Sequence, residues 1–225
     1  MPHKFLIVTA AAAPMLLAAG DALAEVQVTS SSRTTAITTA SPNGGTADDV
    51  KVTDDGVITL SAAGPMVTLD SDNIVTINGG LTSVGVDDSV GVLIIGGKTG
   101  SATTAGSISL TEDYDYEDSD DDGDYDGLFA KGYRRYGIRL TGSDAFTGTI
   151  TNSGSITIEG MDSAGISLEA PLVGDLVHSG SISVTGDRGY GIRIAGPVTG
   201  NVTIEGSTSV LGQGSVGVAV DSAID

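Results

Sequence analysis

From residue 56 onward, a glycine followed by alternating aliphatic and small polar residues returns about once every 26 residues, a period that marks a solenoid. The phrase starts at Gly56, Gly80, Gly106, Gly154, Gly180 and Gly206, at intervals of 24, 26, 48, 26 and 26 residues. A second phrase keeps step with it. Tyr136-Gly137-Ile138-Arg139-Leu140 is answered by segments starting at Ala164, Tyr190 and Val216, and upstream by segments starting at Val90 and Pro65. A third opens on Gly100, Gly148, Gly174 and Gly200, each six residues ahead of a first-phrase glycine. Three strand-like phrases per period, joined by Gly, Asn, Asp and Ser turns, predict an all-β, right-handed parallel β-helix of about six coils. A constant period with three phases argues against an antiparallel sandwich.

Alternation at period two assigns the faces. The aliphatics Ile138 and Leu140 point in and Arg139 points out, and across coils the outward position varies (Arg139, Ser167, Arg193, Ala219) while the aliphatics persist. The predicted interior columns are Ile58, Thr82, Ile108, Ile156, Ile182 and Thr208, and beside them Leu60, Val84, Leu110, Ile158, Val184 and Val210.

The ends are of a different kind. Lys4, the apolar run from Phe5 to Ala19 and the small-x-small site Ala22-Leu23-Ala24 read as a signal peptide over residues 1–24, with Glu25 as the mature start. Residues 25–55, rich in Thr, Ser and Asp, read as an irregular first coil or cap, and 56–225 as the β-helix. The sequence stops just after the Val216–Val220 phrase, so it reads as the N-terminal part of a longer protein. There is no cysteine, which removes disulfides and thiolate metal sites. A formal net charge of -19 argues against nucleic acid and anionic lipid as partners.

The 48-residue interval is one period carrying an acidic insertion over 111–132. Ten of the fifteen residues from Glu112 to Asp126 are Asp or Glu. Asp118-Ser119-Asp120-Asp121-Asp122-Gly123 has the alternate oxygen donors and turn glycine of a calcium loop, with Asp124 and Asp126 continuing it. The twelfth position is Phe129 where an EF-hand needs a bidentate Glu, and no helix pattern flanks it, so the expectation is a looser Ca²⁺ loop over Asp118, Asp120, Asp122, Asp124 and Asp126. The competing reading is a solvated acidic excursion. Lys131, Arg134 and Arg135 behind it read as local charge balance.

Other chemical candidates are thin. Arg139 and Arg193 hold equivalent outward positions two coils apart, where a polysaccharide-cleaving β-helix would keep a base, yet their neighbours are small or neutral. His178 is the one histidine after the signal segment and reads as a packed corner residue between Asn152 and Ile204. No Gly-x-Ser-x-Gly elbow is present, and Gly96-Gly97-Lys98-Thr99 lacks the leading glycine and following helix of a phosphate loop. No catalytic residue is assigned, and the chain reads as a non-enzyme.

The Tyr-Gly-Ile-Arg-Leu phrase at 136–140 and the Asn-Ser-Gly-Ser-Ile-Thr-Ile phrase at 152–158, with their echoes at Tyr190–Ile194 and Ser179–Val184, resemble the glycine-rich β-helical passenger domains of Gram-negative autotransporters over residues 25–225. The resemblance implies export to the cell surface or beyond it, and a C-terminal β-barrel translocator as partner, for which this sequence has no barrel strands. The function expected is an adhesin-like display stalk, with a surface carbohydrate or protein as ligand. The alternatives are a carbohydrate-active lyase or hydrolase and a Ca²⁺-responsive matrix component.

Overall fold

The computed structural model describes residues 25–28, 33–114, 118–123 and 126–225. The signal segment 1–24 and Asp124 lie outside these residues. Among the described residues no helix is long and apolar enough to cross a membrane.

The chain is an all-β parallel solenoid of about seven coils with three parallel sheets. Sheet A stacks Val26–Val28, Val50–Val52, Ile74–Ile77, Thr99–Thr104 and Phe146–Asn152, then the split pairs Leu172–Val173 with Leu176–His178 and Val198–Thr199 with Val202–Ile204. Sheet B stacks Val57–Thr59, Gly80–Val84, Ser107–Thr111, Ser155–Glu159, Ser181–Thr185 and Ser207–Leu211. Sheet C stacks Ile37–Thr38, Gly64–Leu69, Ser89–Ile95, Tyr136–Thr141, Ala164–Leu168, Tyr190–Ile194 and Val216–Val220. The count exceeds the six given by the glycine phrase because residues 25–55 supply strands in register with the rest: Val26–Val28 pairs with Val50–Val52, and Ile37 with Val67.

Each strand meets its counterpart one coil away, so like side chains form ladders through the rod. Ile108, Ile156 and Ile182 are in register, as are Ile138, Ile166 and Ile192, and all six are at most 2 % exposed. The two ladders are fitted by a column of glycines. A Cβ on Gly165 would fall 2.5 Å from Ile182 Cγ2 and 2.7 Å from the Gly191 carbonyl oxygen. Gly137 and Gly191 stand in the same relation to Ile156 and Thr208. Tyr136 lies with Arg139 on the outer face, its ring centre 4.2 Å from the guanidinium carbon.

One coil corrects the expected register. Gly80 pairs with Val57 and Ser107, so Gly79 is the repeating glycine: a Cβ there would collide with the Gly56 carbonyl oxygen, just as one on Gly106 would collide with that of Gly79. The slip of one residue turns every side chain over. Leu81 and Ser83 point inward, Val84 is 57 % exposed, and Thr82 is not in the interior column. Ser83 Oγ is buried without a hydrogen-bond partner. In the last coil Thr208 and Val210 face the same interior but are only partly covered.

Candidate functional site

The acidic insertion is fastened to the rod at its root. Glu112, just past the strand Ser107–Thr111, accepts hydrogen bonds from the backbone N–H groups of Lys131 and Gly132, both at 2.6 Å. The two ends of the insertion are thereby closed on one carboxylate. Behind it lies Arg135, 1 % exposed, whose guanidinium donates to Glu112 at 3.2 Å, Asp87 at 3.2 Å, the Val86 carbonyl at 2.9 Å and the Glu159 carbonyl. Asp87 also accepts from Tyr133 N–H at 3.0 Å, and Glu159 accepts from Glu112 N–H at 2.9 Å. A buried guanidinium is tolerated only when paired and hydrogen-bonded in this way. Asp87, Glu112 and Arg135 also line a depression of about 410 Å³ with Tyr114 and Lys131, whose ammonium sits 4.1 Å from the Tyr114 ring centre. Sequence reading placed Arg135 with local charge balance; its burial escapes a pattern argument because its partners lie 48 and 23 residues away.

Farther out, carboxylate oxygens of Asp118, Asp120 and Asp126 lie within 4.8 Å of one another. Asp126 accepts from Ser119 N–H at 2.8 Å and Ser119 Oγ at 2.7 Å, and these bonds hold its pKa below the ordinary carboxylate value. Asp118 accepts from Gly123 N–H at 3.1 Å. Asp122, the fourth described residue of the expected calcium set, is exposed and falls outside this trio.

A second concentration of charge runs along the corner between sheets B and C. Asp88, Arg134, Asp162, Arg188 and Gly214 follow one another in successive coils, all at positive φ (55°, 53°, 52°, 55° and 71°). Left-handed backbone is costly for arginine, and here each arginine is tied to the aspartate of the preceding coil. Arg134 grips Asp88 at 2.5 and 2.9 Å, and Arg188 grips Asp162 at 2.7 Å twice. The Arg188 hydrogen bond is the main cause holding the Asp162 carboxyl below its usual pKa, and Arg134 acts in the same sense through its charge.

On the outer face of sheet C, Arg139 donates to both oxygens of Glu169 at 2.9 and 2.8 Å, and Arg193 to Asp221 at 3.0 Å. Burial pulls the Arg139 guanidinium down, but Glu169 outweighs it and leaves its pKa above the ordinary value. Asp221 raises that of Arg193 through its hydrogen bond. These groups hold their protons, which works against either arginine as a base. Between Tyr136 and Tyr190 lies a slot of about 310 Å³ floored by Ala164. His178 is fully buried in register with Asn152 and Ile204; its Nδ1 lies 3.1 Å from Asn152 Nδ2 and its Nε2 is 3.4 Å from the Ser207 carbonyl oxygen. No protein-family model matches this sequence, and no curated protein and no solved structure resembles it closely enough to count as a relative.

Proposed function

We propose that this chain is the rigid, exported display rod of an autotransporter-type passenger, holding the acidic insertion away from the surface to which the protein is attached. The observation that carries the reading is the fastening of the insertion at both ends by Glu112, Arg135 and Asp87 onto a rod with a mainly aliphatic core. A tether of that kind fixes where a loop projects and leaves its tip free to vary. The net charge of -19 supports a self-repelling exported surface. A C-terminal translocator barrel is the partner this reading requires. The polysaccharide-cleaving alternative draws no support from Arg139 and Arg193, since each is held by a carboxylate. Calcium is not part of the reading: three neighbouring carboxylates, two of them exposed, do not by themselves make an ion site.

The test is an epitope tag placed after Gly123 in the protein expressed in its own bacterium. Labelling of intact cells, lost after mild external protease, is the expected result. Labelling that requires cell lysis overturns the proposal. So does release of unsaturated uronate from an acidic polysaccharide by the purified chain, if Arg139→Ala abolishes it.

A further inference from the structure

We infer that the slot between Tyr136 and Tyr190 binds one ring of a neutral saccharide. Tyr136, Ala164 and Tyr190 are direct register partners in three successive strands of sheet C. Strand spacing therefore sets the two tyrosines about 9.6 Å apart, with Ala164 between them in the column. The volume of about 310 Å³ lies at the low end for small-molecule sites. Arg139 packs 4.2 Å from the Tyr136 ring centre and is held by Glu169 without lining the slot, while Arg193 packs 5.0 Å from the Tyr190 ring centre and does line it. One wall is thus an aromatic platform for the C–H face of a pyranose. The other wall and the rim are hydrogen-bonding groups: Arg193, Asp162 and Arg188.

The charge pattern selects the class of sugar. Asp162 and Arg188 neutralise each other, as do Arg193 and Asp221. Paired groups of this kind offer donors and acceptors to hydroxyls without a net field. The chain as a whole, at -19, repels a polyanion. An uncharged, hydroxyl-rich ring with an apolar C–H face meets both conditions: an aromatic wall and neutrality. The inference holds whether or not the chain is displayed at a cell surface, so its failure and that of the display reading are separate results.

The experiment titrates the full chain with hexasaccharides of glucose, mannose and N-acetylglucosamine, and with hexagalacturonate as the acidic comparator. Saturation-transfer NMR and tyrosine fluorescence follow binding; the absence of tryptophan keeps the second signal clean. At least one neutral hexasaccharide is expected to bind saturably. Tyr136→Ala, which removes the platform, should weaken it about tenfold. Ala164→Tyr, which fills the slot by continuing the tyrosine ladder, should abolish binding while leaving the melting temperature unchanged or raised. No saturable binding of any neutral sugar overturns the inference. So does binding that neither variant changes, or tighter binding of hexagalacturonate than of every neutral sugar.

Discussion

Gly165 shows how much one missing side chain decides. The Cβ absent there leaves the space that Ile182 Cγ2 occupies, with backbone on the other side, so neither neighbour can retreat. Gly165→Ala is expected to destabilise the fold by about 1–3 kcal/mol through overpacking, read from chemical denaturation; an unchanged midpoint would refute the close fit. Ser83 is the opposite case. Its hydroxyl is buried without a partner between aliphatic coils, so Ser83→Ala should raise stability by about 1 kcal/mol in the same measurement. Both positions also mark what the sequence made legible. The isoleucine and leucine columns could be read because period-two alternation is local and repeats. The Gly79-Gly80 doublet could not be resolved, since either glycine opens an acceptable phrase; only the close approach of Gly79 to the Gly56 carbonyl decides the register.

At the scale of the element, the insertion and the charged corner respond to different perturbations. Glu112→Ala removes the acceptor that closes the insertion and half of the carboxylate charge around buried Arg135. The expected result is a loss of about 3–5 kcal/mol, together with rapid tryptic cleavage after Lys131; a loop that stays resistant would show that Glu112 is not its clasp. In the corner, Asp162 has a depressed pKa in the folded state. Its pairing with Arg188 therefore stabilises fully above the unfolded value of about 3.9 and is lost as pH falls through the lower folded value, not near neutrality. Arg188→Gln should return the NMR-detected midpoint of the Asp162 carboxyl toward the ordinary value, and a midpoint that does not move would contradict the assigned cause. Local charge balance foreshadowed the pairing of Arg135 with the acidic segment, but neither its burial nor the corner pairs were legible in advance. The acidic run announced an insertion, but its fastening joins residues brought together by coiling rather than by spacing in sequence.

For the whole molecule, each coil is supported only by its neighbours, so protection should vary along the rod. Ile138, Ile166 and Ile192, each with a coil on both sides, are fully covered. Hydrogen exchange should be slowest in the ladder strands Tyr136–Thr141, Ala164–Leu168 and Tyr190–Ile194 and faster over the exposed residues 118–123; uniform exchange would argue for a single cooperative unit. Architecture was the most legible level, because a repeat states its own period. The corner column carries a consequence of another sort. Asp88, Arg134, Asp162 and Arg188 act as a parity check on the order of the repeats. Excising one 26-residue period through Asp162 would bring Arg134 against Arg188, and excising the period that holds Arg134 would bring Asp88 against Asp162. Gain or loss of a single repeat is thus penalised in a way that gain or loss of two is not, and a chain that grows by duplication would do so most easily in pairs.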